Sequence, residues 1–175
     1  MATIKAIVID VDGTLTDGTI SYSSDGTDSK SFHVSDGLGI VLARLVGIEI
    51  WIISGRVSAA VVRRAAELGV DRLFQGVSDK RSCLLELQSL TQFKAIELAY
   101  IGDDINDLSA FSLVETKIAV GNASHYLKLN ATFTTTLNGG RGAVREAIEW
   151  LLNREDKLNL AIEMYSKHCG TSAGQ

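Results

Sequence analysis

Residues 4–16, IKAIVIDVDGTLT, decide the fold of this 175-residue chain. The first seven are mostly apolar and rich in β-branched side chains, a composition typical of a buried strand. The run ends in Asp10-Val11-Asp12-Gly13. Because residues two apart in an extended segment point to the same side, Asp10 and Asp12 can share one site while Val11 points away. Two carboxylates at so short a distance repel each other, so the pattern predicts a divalent cation or a shifted carboxyl pKa at the end of this strand.

Short apolar runs alternate with longer helical patterns along most of the chain. After residues 4–10, further strands are predicted at Glu49–Ile53, Arg72–Phe74, Leu98–Ile101 and Lys117–Val120. Helices are predicted at Leu38–Val46, Ser58–Leu68, Asp79–Leu90, Ile105–Leu113 and Ala143–Asn153. This alternation implies βαβ crossovers, and therefore an α/β fold with a parallel sheet covered by helices on both faces.

One segment interrupts the alternation. Residues 19–24 and 28–34 resemble two strands around Asp25-Gly26, and Asp-Gly in that position is a strong hairpin signal. We therefore predict a β-hairpin over residues 19–34, inserted directly after the first strand. Residues 1–153 are expected to form a single domain that includes this hairpin, and residues 154–175 a C-terminal helix or tail.

The composition excludes several classes of function. The formal charge of −4 argues against a protein that binds nucleic acid electrostatically, although a local cluster of cations could still hold a phosphate. The two cysteines, Cys83 and Cys169, form no CxxC pattern and suit a reducing compartment. No apolar stretch reaches 18 residues, and the N-terminus leads straight into the first strand without a signal-peptide pattern. We expect a cytoplasmic protein that binds neither nucleic acid nor membrane.

More carboxylates follow another predicted strand. The segment after Leu98–Ile101 is Gly-Asp-Asp-Ile-Asn-Asp, which places Asp103, Asp104 and Asp107 at a helix start. Ligands of open α/β sheets bind at the carboxyl ends of the strands, where this segment would meet Asp10. A single Asp at a helix start could equally be a capping residue, so the signal lies in the combination.

Groups suited to a phosphate follow a third strand. Ser54-Gly55-Arg56 comes after Glu49–Ile53, and a hydroxyl with exposed backbone N–H groups can cradle phosphate oxygens. Lys80, at the start of the predicted helix Asp79–Leu90, could bring a cation to the same edge. Nucleophile, metal ligands and an anion clamp together are what phosphoryl transfer requires.

These motifs, in this order, resemble the haloacid dehalogenase-like (HAD) hydrolase superfamily over residues 4–120. The motifs are DxDGTLTDG, SGR, a lysine and GDDxxD. The resemblance implies a Rossmann-like, three-layer fold around the parallel sheet. More closely, the chain is similar to the cap-less bacterial 3-deoxy-D-manno-octulosonate 8-phosphate (KDO 8-phosphate) phosphatases, which adds the hairpin, the FQGVSDK stretch and GGRGAVRE at residues 139–146.

The resemblance implies a reaction and roles for individual residues. Asp10 would attack phosphorus to form an aspartyl-phosphate, and Asp12 would protonate the leaving sugar oxygen and later activate water. Mg²⁺ would be held by the carboxylates of Asp10 and Asp103 and by the backbone carbonyl of Asp12. The implied activity is Mg²⁺-dependent hydrolysis of KDO 8-phosphate, a step of lipopolysaccharide biosynthesis.

Other residues receive supporting roles. Ser54, the Gly55 amide and Lys80 would hold the phosphoryl oxygens. Asp107 would orient the metal ligands from outside the coordination sphere, and Asp104 is a further contributor of this kind. Two arginines are candidate contacts of an anionic substrate, Arg56 beside the phosphate clamp and Arg141 in the GGRG segment.

The family resemblance assigns nearly the whole chain to the core domain, so we expect no separate cap domain and a homotetramer in which neighbours cover one another's sites. Two alternatives to the KDO 8-phosphate reaction remain open at this point. One is hydrolysis of a nine-carbon ulosonic acid 9-phosphate. The other is a phosphoaspartate switch or binding module, which would also need an acidic strand end, a hydroxyl and a lysine. A positioned acid/base two residues from the nucleophile speeds loss of the acyl phosphate and so favours the enzyme.

Overall fold

A computed structural model describes residues 3–22, 24 and 28–171. The strands are β1 (Ala6–Ile9), β2 (Ser21–Tyr22), β3 (Asp28–Ser29), β4 (Glu49–Ile53), β5 (Arg72–Phe74), β6 (Leu98–Gly102), β7 (Thr116–Ala119) and β8 (Phe133–Thr134). The α-helices are α1 (Val34–Leu45), α2 (Ala59–Leu68), α3 (Lys80–Thr91), α4 (Leu108–Phe111), α5 (His125–Leu129), α6 (Ala143–Arg154) and α7 (Leu158–Thr171).

The main sheet is parallel and has the order β5-β4-β1-β6-β7-β8. This confirms the predicted α/β fold. In the central register, Ile9 of β1 lies opposite Ile52 of β4 and Ile101 of β6. The loops that follow β1, β4 and β6 therefore emerge side by side at one edge of the sheet. That edge carries every strand-end motif of the sequence.

The core explains why these segments form strands. Ile7, Ile9 and Trp51 are fully buried, as are the other side chains of β1. Burying an aliphatic side chain of this size stabilises the fold by about 1.5–3 kcal/mol. On the helical side, α1 packs against α6 and α7, so the C-terminal helix lies against the domain. The division of the chain after Asn153 stays a prediction.

The described part of the hairpin is shorter than the sequence predicts. Among the described residues, antiparallel pairing joins Ser21–Tyr22 to Asp28–Ser29, and the predicted turn residues Asp25 and Gly26 lie outside that part of the chain. The predicted range 19–34 also extends too far, because α1 already begins at Val34. The cause is tertiary: Asp36, in the first turn of α1, accepts hydrogen bonds from the Gly142 and Arg145 amides, which fixes that turn as helix.

One predicted helix differs from the structure, and two short elements were not predicted. The helix predicted at Ile105–Leu113 is a 3₁₀ turn at Ile105–Asp107 followed by the short α4, since the Asp107 side chain turns back to bond the Asp103 and Asp104 amides. The short α5 and the two-residue β8 were not predicted at all, because segments of this length carry no readable periodicity. Among the described residues, no helix has the length and apolarity needed to cross a bilayer.

Candidate active site

Asp10 and Lys80 form a buried ion pair at the carboxyl edge of the sheet. Asp10 follows β1, its amide donates to the Ile101 carbonyl at 3.0 Å, and its Oδ1 lies 2.8 Å from Lys80 Nζ. Burial, and then the nearby Asp107 carboxylate, raises the pKa of Asp10 to about 6, although Lys80 acts in the opposite direction. Because Lys80 occupies Oδ1, the second carboxylate oxygen of Asp10 is the one left for chemistry.

Asp107 connects the lysine to the metal-binding loop. Its Oδ1 accepts from Lys80 Nζ at 2.7 Å and from the Tyr100 hydroxyl at 2.8 Å. Its Oδ2 accepts from the amides of Asp103 at 3.0 Å and Asp104 at 3.4 Å. Both oxygens of this fully buried carboxylate are therefore engaged, which suits the orienting role predicted for it. Burial alone would lower the pKa of Lys80, but Asp10 and Asp107 together raise it.

Asp103 belongs to the same cluster of carboxylates as Asp10 and Asp107. Its Oδ1 accepts a long hydrogen bond, 3.3 Å, from Thr14 Oγ1. Burial, and then the carboxylates of Asp10 and Asp107, raises the pKa of Asp103 to about 8. The turn at residues 11–15 leaves room for Asp103 because Gly13 has no side chain. A Cβ at Gly13 would lie 2.0 Å from Asp103 Oδ2, and the φ angle of this glycine is +94°.

The carboxylates fit a divalent cation. Asp10, Asp103 and Asp107 each offer an oxygen within 4.8 Å of the other two, and the Lys80 ammonium pairs with two of them, Asp10 and Asp107. Oxygen donors and excess negative charge are what Mg²⁺ selects, and the raised pKa values of Asp10 and Asp103 are the electrostatic cost that a cation would relieve. Asp103 is better suited to this role than Asp107, because its Oδ1 accepts a long hydrogen bond from Thr14 whereas both oxygens of Asp107 accept from two donors each.

Asp12 lies beside this cluster and has a partner that was not predicted from the sequence. Its Oδ1 is bound by Lys30 Nζ, from the residue that follows β3. The turn that carries Asp12 is closed by the Thr16 amide, which donates to the Val11 carbonyl at 3.0 Å. This arrangement places the tip of the Asp12 side chain against the hairpin.

Ser54 and Gly55 follow β4 at the same edge. The Ser54 hydroxyl accepts from the Arg56 amide at 3.3 Å, and its carbonyl accepts from the Val77 amide at 3.1 Å, so the loop is held from both sides. Ser54 is buried and Gly55 is exposed, which leaves the Gly55 backbone accessible. Arg56 reaches the Tyr22 hydroxyl of the hairpin at 3.4 Å, and within the described part of the chain its Nε makes no hydrogen bond.

Arg141 and Asp104 lie outside the carboxylate cluster. Arg141 is exposed, and its Nη2 lies 3.4 Å from Asp17 Oδ2. Its segment does reach the site, because the Gly140 amide donates to the Thr14 carbonyl at 3.0 Å. The side chain of Asp104 is exposed and accepts from the next amide, that of Ile105, at 2.7 Å, outside the carboxylate cluster.

Tyr100, Thr14 and Lys30 belong to the site but were not singled out from the sequence. Tyr100 carried a readable signal, since a hydroxyl inside a buried strand must find a hydrogen-bond partner. Burial, and then the charge of Asp107, raises the pKa of Tyr100 well above its ordinary value, so it keeps the proton that it donates. Lys30 carried no such signal, because its position depends on how the hairpin docks.

Comparisons with known proteins agree with this site. Residues 71–148 match a family described as haloacid dehalogenase-like hydrolase. The 3-deoxy-D-manno-octulosonate 8-phosphate phosphatase of Haemophilus influenzae is 39% identical over 157 residues, which cover 90% of this chain and 87% of that protein. The chain belongs to the haloacid dehalogenase-like hydrolases, as its motifs predicted.

Solved structures extend the similarity to the whole fold. The Moraxella catarrhalis KDO 8-phosphate phosphatase, in complex with magnesium, phosphate and KDO, is 41% identical, with a TM-score of 0.89 and coverage of 93% of both chains. A HAD-superfamily hydrolase from Legionella pneumophila is 40% identical, with a TM-score of 0.90 and coverage of 94% of this chain and 90% of that one. These relatives do not favour the phosphoaspartate switch.

Proposed function

We propose that this chain is a Mg²⁺-dependent phosphatase that hydrolyses KDO 8-phosphate to KDO and inorganic phosphate. The observation that carries the proposal is the buried Asp10, paired with Lys80, two residues before Asp12 and facing Asp103. The similarity to KDO 8-phosphate phosphatases over most of both chains supports the choice of substrate. We place the reaction in the cytoplasm.

In the first half-reaction Asp10 attacks phosphorus with the carboxylate oxygen that Lys80 does not hold. The phosphorus–oxygen bond to the sugar breaks as Asp12 gives its proton to the departing oxygen, leaving an aspartyl-phosphate and free KDO. Ser54, the Gly55 amide and Lys80 hold the phosphoryl oxygens throughout. Mg²⁺, held by Asp10, Asp103 and the Asp12 carbonyl, would offset the repulsion between the carboxylate and the phosphate.

In the second half-reaction Asp12 takes a proton from water. The water oxygen bonds to phosphorus, the acyl-phosphate bond breaks and Asp10 is restored as a carboxylate. Asp107 keeps its place as the residue that orients Lys80 and the Asp103 loop, through the contacts of both its oxygens.

Carboxylate-to-amide variants test this mechanism. Asp10→Asn removes the nucleophile and should abolish phosphate release. Asp12→Asn keeps the nucleophile and should slow turnover by about 10²–10⁴-fold, the usual contribution of a general acid/base, while a phosphoenzyme accumulates in quenched samples. Asp156→Asn, an exposed position remote from the site, is the matched control and should behave as wild type. Undiminished turnover in Asp10→Asn would sink the mechanism.

We also propose that the active unit is a homotetramer. Three segments at the carboxyl edge each expose a large apolar side chain: Tyr22 is 67% exposed, Val57 73% and Ile105 60%. Side chains of this kind around a site are typical of a surface that another chain covers. Light scattering should give a tetramer for wild type and for Leu90→Glu, an exposed position on α3, and smaller particles for Val57→Glu. An active wild-type monomer would refute the tetramer.

A further inference from the structure

The hairpin is attached to the site loops through three polar side chains. Lys30 Nζ binds Asp12 Oδ1, next to the end of β1. Beyond the end of β4, Arg56 donates to the Tyr22 hydroxyl at 3.4 Å and the Ser58 hydroxyl donates to Asp28 Oδ1 at 3.3 Å. The hairpin is therefore held across two neighbouring strand ends by its own subunit.

The Lys30 side chain is almost fully buried. Its side chain is 4% exposed, whereas the Asp12 side chain that it meets is 24% exposed. Withdrawing an ammonium from water is costly unless a partner compensates, so the position of Lys30 is coupled to that of the Asp12 carboxylate. Part of the Asp12 side chain therefore stays accessible, whereas Lys30 is almost enclosed.

We propose that Lys30 is a positioning residue for the acid/base step, an inference that rests on the proposed function. It holds Asp12 at Oδ1, which leaves Oδ2 to carry the transferred proton. As the ester bond to phosphorus breaks, its electron pair stays on the sugar oxygen, which takes the proton from Asp12 Oδ2. Lys30 keeps its own protons and forms no bond to the substrate. The hairpin thus contributes to chemistry within each subunit, besides any part in assembly.

Leaving-group dependence distinguishes this role from a structural one. The ratio kcat/KM covers the steps up to formation of the aspartyl-phosphate, and a nitrophenolate leaves without a proton whereas a sugar alkoxide does not. Lys30→Met should lower kcat/KM for KDO 8-phosphate by about 10–100-fold, a part of the general-acid contribution, and that for p-nitrophenyl phosphate by less than about 3-fold. Lys30→Arg, which keeps the charge, should restore most of the loss.

The control is Lys157→Ala, which removes a lysine from a pair with Glu155 at 3.2 Å, at the junction of α6 and α7. This variant should leave kcat/KM unchanged for both KDO 8-phosphate and p-nitrophenyl phosphate. Equal losses of Lys30→Met on both substrates, or no loss, would overturn the proposal. So would a rise in the inhibition constant of KDO by the same factor as the loss, since Lys30 would then bind the sugar directly.

The proposed function can fail separately. A wild-type protein that releases no phosphate from KDO 8-phosphate contradicts that function and not the role of Lys30. The loss of kcat/KM in Lys30→Met is then compared between p-nitrophenyl phosphate and whichever alkyl phosphate the wild type hydrolyses. A larger loss on the alkyl phosphate supports the role of Lys30, and equal losses contradict it.

Discussion

Lys80 Nζ lies 2.8 Å from Asp10 Oδ1, and each of these side chains is only 4% exposed. The same ammonium is 2.7 Å from Asp107 Oδ1. One lysine at the start of α3 thus links the candidate nucleophile to the carboxylate that supports the Asp103 loop. With two of its three donors used on these carboxylates, Lys80 fixes the nucleophile and keeps one donor for a phosphoryl oxygen.

Replacing Lys80 by Met should lower kcat/KM by about 10²–10³-fold, the usual cost of losing one preorganised electrostatic contact. The variant should also unfold at a lower temperature, because Asp10 and Asp107 would lose their shared counterion while remaining buried. Phosphate release and thermal unfolding are the measurements. Lys5→Ala is the control, since Lys5 pairs with Glu97 at 2.8 Å near the opposite end of β1. Near-wild-type activity in Lys80→Met would contradict the role given to this lysine.

Gly13→Ala should abolish activity and Mg²⁺ binding. The new Cβ would lie 2.0 Å from Asp103 Oδ2, so the carboxylate must leave its place, and the backbone at φ +94° is itself strained for alanine. Gly47→Ala is the matched control: φ there is +81°, and nothing lies within 4 Å of the added carbon. Both variants should lose about 1–2 kcal/mol of stability, the cost of a left-handed conformation.

The two glycine variants separate strain from the clash. Calorimetric titration with Mg²⁺ and an activity assay should find the Gly47→Ala protein close to wild type and the Gly13→Ala protein unable to bind or turn over. If both variants bind Mg²⁺ normally, Asp103 is not a metal ligand.

Mg²⁺ binding should release protons and strengthen with pH. Burial and neighbouring carboxylates raise the pKa of Asp10 to about 6 and that of Asp103 to about 8, so in the metal-free protein a cation must displace protons below these values. Affinity should therefore rise from about pH 6 to about pH 8 and then level off. Without metal, stability should fall across this window, because the unfolded state binds fewer of these protons than the folded state.

Calorimetry in two buffers of different ionisation enthalpy measures the proton release directly. Thermal unfolding with and without Mg²⁺ gives the second arm, in which stabilisation by the metal should grow with pH. A Mg²⁺ affinity that does not change across the window would show that the carboxylates are already ionised in the metal-free site.

Arg56 should favour the eight-carbon substrate over a nine-carbon ulosonic acid 9-phosphate. Its backbone amide donates to the Ser54 hydroxyl at 3.3 Å and its guanidinium donates to the Tyr22 hydroxyl at 3.4 Å, so we expect this cation at the mouth of the site, where a guanidinium can bind a carboxylate of the sugar. The test compares kcat/KM for the two phosphates in wild type and in Arg56→Ala. Equal or better use of the nine-carbon substrate by wild type would contradict this prediction. A preference that survives in Arg56→Ala would assign discrimination to the hairpin or to Arg141.

The arrangement of the strand ends could be predicted from the sequence for a simple physical reason. In a parallel sheet, residues that follow neighbouring strands emerge at one edge, so Asp10, Ser54 and Asp103 had to lie near one another once the strands were placed. The bounds predicted for β4 and β5 agree with the structure to the residue.

Features that depend on tertiary docking could not be predicted. The sequence predicts Lys80 at this edge as a phosphate ligand, but not that two carboxylates from other elements meet it and that it is buried. Lys30 reaches Asp12 only because the hairpin folds over the end of β1. The early start of α1 depends on a contact between Asp36 and Gly142, which lie 106 residues apart. No local pattern encodes such contacts.

Phosphate release from KDO 8-phosphate by the wild-type protein is the most direct test of the central claim. It is measured with Mg²⁺ and with a chelator, beside a panel of other sugar phosphates and a nine-carbon ulosonic acid 9-phosphate. The account predicts Mg²⁺-dependent release, abolished by the chelator and restored by added Mg²⁺, with the highest kcat/KM for KDO 8-phosphate. Release that persists in the chelator, or a higher kcat/KM for another phosphate of the panel, would contradict it.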